Sequence, residues 1–285
     1  MFDGMVEMRL LAGDLDCVAG VIEALLLVAL VAVIISTIQL VYIPEIMEQR
    51  EADHMDEVEK QFSDLKSTID LQSILQRDVP ISSPITLGSR ELPYFVTARA
   101  LGELEIIDNT SSRVETDLVS SIPLTSIRYK AVNAYYLDQI YVLEGGGVII
   151  KQYDGEVMEI DPAISFENRT NEIRIHWILP KFNTIPGKSS TSGFKTCFIR
   201  TNYTGETTYE GQTSYIKIYS EYLDAWNSSL NRILEEPVRN GYINVYKNPI
   251  SHPQYVYITP GSKNLYIIFT VTRIGAQIGP GAVVS

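Results

Sequence analysis

The stretch ALLLVALVAVIISTIQLVYI, residues 24–43, runs twenty residues without a charge, and Glu23 stands at its upstream edge. A helix rises about 1.5 Å per residue, so the run reaches roughly 30 Å, the thickness of a bilayer's hydrocarbon core. Nothing comparable recurs downstream, so one crossing is expected, with the lipid bilayer as its partner. A cleaved secretory signal would begin basic, have a shorter apolar stretch and end in small residues. Here Asp3, Glu7, Asp14 and Asp16 face a single Arg9, and the run ends Leu40, Val41, Tyr42, Ile43, Pro44. A buried helix of a soluble protein rarely goes so far without a charge. The apolar run is therefore expected to be retained as a span. Its orientation is not set by basic residues, since Arg9 on one side meets Arg50 and Lys60 on the other.

After Pro44 the pattern turns charged: EIMEQREADHMDEVEKQFSDLKSTIDLQSILQRD, residues 45–78. Met55, Val58, Phe62, Leu65 and Ile69 recur at spacings of three and four, the stripe a helix presents to a partner surface. That partner is either the protein's own sheets or a sister subunit. Glu51, Asp56, Glu57, Glu59 and Lys60 are expected on the solvated sides. Pro44 lacks the donor of an interior helical position, so a kink or a fresh helix start is expected there. Asp78 to Pro84, with two prolines and two serines, reads as a break and as the start of the globular domain.

Beyond Tyr94, short apolar or alternating runs separated by turn residues predict antiparallel sheets. The expected strands are 135–143, 148–152, 173–179, 194–200, 215–219, 242–246, 255–259 and 265–274. In the last, both faces are apolar enough to be half-buried, which predicts a central strand. Gly145, Gly146 and Gly147, and then Asp154 and Gly155, read as hairpin turns. One helix interrupts, 221–236, with Leu223, Trp226, Leu230, Ile233 and Leu234 on one face and Pro237 as its stop; Trp226 is expected to anchor packing. The fold class is thus α+β: a long N-terminal membrane-spanning helix followed by an antiparallel β-sandwich-like domain with one packed helix.

Composition narrows function by exclusion. A net charge of −12 argues against nucleic acid as a partner. Cys17 and Cys197 lie on opposite sides of the span, so no disulfide framework is expected. His54, His176 and His252 form no zinc spacing, and no nucleophile elbow, P-loop or dinucleotide glycine pattern occurs. An enzyme is not expected, nor a cofactor or metal. The acidic group Asp154, Glu156, Glu159 and Asp161 has oxygen ligands for calcium, but its spacing is not that of an EF-hand loop and alternation splits it between faces. A solvated turn is the simpler reading. Four glycosylation triplets, at Asn109, Asn168, Asn202 and Asn227, exceed the roughly two that chance would supply. All lie where an exported domain would be. Seventeen tyrosines, including Tyr135-Tyr136 and Tyr255-Val-Tyr257, put amphipathic rings along strands, suited to a wet sheet surface or a subunit contact.

The order of parts, a short polar leader, then DCVAGVIEALLLVALVAVIISTIQLVYIP at 16–44, then a charged helix and a β domain, resembles archaeal type IV pilins and archaellins with their class III signal region. The resemblance covers residues 14 to about 78. It implies cleavage between Cys17 and Val18, with cysteine standing where the family has a small residue. It also implies an assembly role for Glu23, which is similar to the acidic residue just inside the mature pilin helix; a helix-start charge at the membrane surface is the plainer reading. The domains would then be a leader 1–17, a transmembrane or assembly helix 18–43, a charged amphipathic helix 44–78 and an extracellular β-rich domain 79–285. On this reading the protein is a single-pass surface protein of the cell membrane, structural or adhesive, whose helices pack with sister subunits in a filament. The alternatives are a monomeric anchored protein that binds a ligand, marked by a concave pocket of tyrosines, and an anchored glycoside-acting enzyme, marked by two carboxylates in a cleft.

Overall fold

The computed structural model describes residues 3–89, 100–185, 188–248 and 253–279, with side chains from Gly20 onward. Helix α1 (Asp3–Thr37) passes through a π turn at Ile38–Tyr42 into α2 (Ile43–Leu75). Pro44 explains the turn. It has no N–H to give, and its ring would strike the carbonyl four residues back in a regular α-helix. The backbone widens instead, and the Ile43 N–H bonds the Ile38 carbonyl five residues back. The expected kink or restart is thus a local π turn. The helix closes at Gln76, which takes a left-handed φ of 53° and bonds its N–H to the Gln72 carbonyl.

Two compact units result, one holding the helix through Gln49 and the other everything described from Arg50 onward. The second contains three sheets. The first has the order β1 (Ile81–Thr86), β12 (Thr196–Thr213), β16 (Asn264–Gly279), β10 (Glu172–Thr184), β9 (Ile164–Asn168). The second runs β11 (Ser190–Gly193), β2 (Leu101–Ile107), β5 (Ser126–Val132), β6 (Ile140–Glu144), β7 (Gly147–Gln152), β8 (Gly155–Ile160). The third runs β14 (Ile243–Asn248), β15 (Tyr255–Pro260), β13 (Ile216–Tyr219), β3 (Arg113–Thr116), β4 (Ile122–Pro123). β16 is central, as its two apolar faces require. Its pairing with β10 is parallel, in register from Glu172 opposite Asn264 to Thr184 opposite Ala276, and is the one departure from antiparallel pairing among these ladders.

Three expectations change. Ser82, Ser83 and Pro84 lie inside β1 rather than in a break; β1 pairs only with β12, and a proline without an N–H is tolerated on such an edge. The strand expected at 135–143 begins at Ile140. Pro237 does not stop the helix at 221–236; α3 spans Leu223–Ile233 and a short α4 (Glu235–Arg239) carries Pro237 in its first turn, where its missing N–H costs nothing. The β6–β7 hairpin turns at Gly145 and Gly146, with φ of 59° and 88°, a geometry that glycine adopts without strain.

Two apolar cores fill this unit. One lies under the third sheet and α3, where Trp177 packs against Trp226 and Phe269 at ring separations of 5.5 and 5.3 Å. The other joins α2 to the first two sheets. Met55, Val58, Phe62, Leu65 and Ile69 are at most 2% exposed, with Phe62 against Tyr129 and Tyr141. Each such burial contributes about 1.5–3 kcal/mol. Of the two partners open to this stripe, it meets the chain's own sheets, and no side chain of it remains for a sister subunit. From Arg50 onward the charged helix therefore belongs to the sheet unit by packing.

Candidate functional site

The apolar helix is the first candidate surface. From Gly20 to Tyr42 every side chain is exposed, with Leu26 at 67% and Leu40 at 77%, and none of its most apolar stretch is buried. The helix is long and apolar enough to cross a membrane. Glu23 is exposed on it, without a partner among the described residues. Cys17 and Val18 lie within α1, and their side chains fall outside the described residues.

The glycosylation triplets separate into two kinds. Asn109 is exposed in the turn after β2, and Asn168 is exposed at the end of β9, its side-chain oxygen accepting from the Lys263 ammonium. Asn202 is half-buried in β12 and donates its amide to Asp78 at 2.9 Å. Asn227 lies in α3, and the Ser229 hydroxyl of its triplet is fully buried and donates to Asp161 at 2.6 Å. A glycan has room at the first two positions.

The candidate chemistry is largely engaged in holding the fold. Among the described residues no group of three His, Cys, Asp or Glu is placed to hold a metal ion. Glu156 accepts from the Asp224 N–H at 2.8 Å and so caps α3, while Asp161 pairs with Arg232. His54 is buried and bonds Tyr129 through Nε2 at 3.1 Å; Tyr129 in turn donates to the Leu87 carbonyl at 2.8 Å. Desolvation pulls the His54 pKa below its ordinary value, against the opposing pull of Glu57. His176 faces Glu167 at 3.5 Å, and His252 lies outside the described residues. Cys197 is a buried free thiol, pushed up to about 11 by desolvation.

A cleft of about 680 Å³ is lined by Arg50, Asp53, His54, Glu57 and Lys195, and among the described residues no tyrosine lines it. A second, of about 430 Å³, includes Arg113, Tyr219, Asp224 and Lys247, with Arg113 bound to Glu115 and Lys247 to Asp224, each at 2.6 Å. Five tyrosines gather on the outer face of the third sheet, which meets the second cleft at Tyr219. Strand alternation turns Ile216, Ile218, Val256 and Ile258 inward and Lys217, Tyr219, Tyr255 and Tyr257 outward. Register then sets two rows across four strands: Arg113, Tyr219, Tyr255, Asn248, and Glu115, Lys217, Tyr257, Tyr246. Neighbouring rings stand 5.2–6.2 Å apart, and the Lys217 ammonium lies 4.6, 5.3 and 5.7 Å from the rings of Tyr215, Tyr255 and Tyr257. The cation at the centre was not a sequence expectation, although the spacing Tyr215-x-Lys217-x-Tyr219 carries it.

Residues 17–247 match the family of unknown function DUF7289. The chain belongs to the DUF7289 family. No curated protein and no solved structure matches it. In this DUF7289 protein the matched stretch takes in the apolar helix, the charged helix and the sheets as far as β14, so apolar helix and sheet unit belong to one shared architecture.

Two glutamates of this DUF7289 member are buried. Glu51, expected on the solvated side of the helix, is fully buried and accepts the N–H groups of Ala134, Tyr135 and Tyr136 at 3.0, 2.7 and 2.7 Å. Three donors replace its water. The signal was there, because continuing the stripe four residues upstream from Met55 lands on Glu51. Three residues downstream from Ile69, it lands on Gln72, which bonds the Thr201 carbonyl at 2.9 Å. Glu144 is the second. Desolvation pushes its carboxyl up to about 7, while donors on Ser220 and Trp226 at 2.5 and 2.9 Å pull the other way.

Proposed function

We propose that this DUF7289 protein is a single-pass, pilin-like surface protein of the cell membrane, structural or adhesive, with its sheet unit outside. In this reading the apolar helix anchors the precursor in lipid and then packs against sister helices in a filament. One observation carries the proposal: the helix from Gly20 to Tyr42 is exposed on every side. An apolar surface of that length needs a cover, and lipid or other helices are the covers that leave its backbone satisfied. Glu23 just inside it and the Asp16-Cys17-Val18 junction upstream support the assembly step. The exposed positions of Asn109 and Asn168 support a sheet unit that carries glycans outside the cell.

N-terminal sequencing of protein from native membranes, joined to protease treatment of intact cells, tests both halves. A start at Val18 and loss of the sheet unit to external protease are expected. An intact Met1 in a protein that stays monomeric in detergent would overturn assembly and leave a plain anchor. Protection of the sheet unit in intact cells would overturn the location.

A further inference from the structure

The geometry points to a binding site for a carboxylated saccharide chain on the outer face of the third sheet. Its occupant must be amphipathic, because the face is. The rings of Tyr215, Tyr219, Tyr246, Tyr255 and Tyr257 offer apolar area, and their hydroxyls and Asn244 put polar groups beside it, with Asn248 donating to the Tyr255 hydroxyl at 3.1 Å. A pyranose presents the same alternation, with C–H faces that stack on aromatic rings and hydroxyl edges that bond polar tips. Strands lie about 4.8 Å apart, so four of them give rows roughly 15 Å across, enough for a chain rather than a single sugar.

Lys217 selects the charge of that chain. Its ammonium is half-buried among three rings, and among the described residues no carboxylate is in ion-pair contact with it. The neighbouring acids are engaged elsewhere first: Glu115, opposite Lys217 in register, holds Arg113, and Asp117 accepts from the backbone and hydroxyl of Ser214 and feels the Lys217 charge only beyond ion-pair distance. A ligand carboxylate completes the site by charge complementarity. A second copy of the chain fits less well, since a two-fold contact centred here sets Lys217 against Lys217 between two proteins of net charge −12. The site uses only the sheet unit and holds for an anchored monomer and a filament subunit alike.

The test uses the full chain in lipid nanodiscs, titrated with oligogalacturonate, with a neutral galactan of equal length and with oligoglutamate. Oligogalacturonate is expected to bind saturably, the neutral chain about tenfold more weakly or not at all, and oligoglutamate not measurably. Lys217→Gln and Tyr257→Ala should each weaken oligogalacturonate about tenfold, the loss of one ion pair or one stacked ring. Tyr153→Ala, at a tyrosine 99% exposed and off this face, should not. Thermal melts that match the parent show that the variants are folded. Absence of saturable binding, equal binding of the neutral chain, or equal binding of oligoglutamate overturns the proposal. None of these outcomes depends on where the mature chain begins.

Discussion

From Ala24 to Tyr42 the helix is uncharged and exposed on every side, whereas from Arg50 to Asp70 it is charged around most of its surface, and its one apolar stripe is buried. The two stretches have the same backbone conformation and opposite relations to their surroundings. A helix apolar all round must find its cover outside its own chain, while a helix with a single stripe finds it within. The difference teaches that it is the arrangement of apolar side chains, and not their number, that decides which part of this helix belongs to the sheet unit.

Truncation should break that contrast most sharply. Phe62→Ala removes a ring packed on Tyr129 and Tyr141 and is expected to lower the stability of the sheet unit by about 3–5 kcal/mol. Leu30→Ala, at a side chain 61% exposed, should leave it within about 0.5 kcal/mol of the parent. Both tryptophans, Trp177 and Trp226, lie in the sheet unit's core, so denaturant unfolding in detergent followed by their fluorescence reads that unit alone. A shift of equal size in the two variants would show that the halves are not distinct.

Next in size is the charged residue that sits on the buried stripe. Glu51→Ala leaves three backbone N–H groups without their acceptor and should cost about 3 kcal/mol in the same measurement. Glu51→Gln keeps an acceptor oxygen and should cost about half of that. A neutral effect of the alanine would mean that water replaces the carboxylate there.

Glu144 makes a comparable contribution that depends on pH. Its pKa is raised from an ordinary 4.5 to about 7 in the fold. Below 4.5 both states hold the proton and no penalty exists; as pH rises from there the unfolded chain releases its proton first, so stability falls, and above about 7 the loss is complete. At about 1.4 kcal/mol per pKa unit the loss amounts to a few kcal/mol. His54 acts in the opposite sense, since its lowered pKa brings a penalty as pH falls below 6.5. Unfolding of Glu144→Gln between pH 5 and 8 should therefore lack the decline that the parent shows, while keeping the acid-side decline due to His54. An unchanged slope would assign the alkaline loss to another group.

What could be read from the sequence follows the same division. The apolar run, the stripe from Met55 to Ile69, the central strand at 265–274 and the Gly145-Gly146 turn were legible because one local pattern decides each of them. β1 was not, because Pro84 and its serines argue against a strand, and only the free edge beside β12 makes one tolerable. The parallel pairing of β10 with β16 brings together residues some 90 positions apart, and no local pattern records such pairings. Glu51 was misplaced because a glutamate among glutamates reads as solvated, and the donors at residues 134–136 that reverse this lie far away in sequence. At the tyrosine face, alternation showed which rings share a side. The rows formed with Arg113, Glu115 and Tyr246 required the register of two more strands.

The smallest expected effect lies where the two stretches join. A proline within a helix costs about 3 kcal/mol when the α geometry is kept, and the π turn at Ile38–Tyr42 is how this chain avoids the clash. Pro44→Ala restores a donor at residue 44 and removes the ring, so the α register becomes available through the junction, with the new N–H facing the Leu40 carbonyl four residues back. The wider turn then has no remaining cause. Amide exchange across residues 38–44 in detergent should slow about fivefold, corresponding to a gain of about 1 kcal/mol in local stability. The unfolding of the sheet unit should stay where it was, because none of its core side chains is touched. Exchange as fast as in the parent would show that the π turn is held by something other than Pro44, and the polar pair nearest to it, Thr37 bonded to the Val33 carbonyl and Gln39 within the turn, would be the next positions to change.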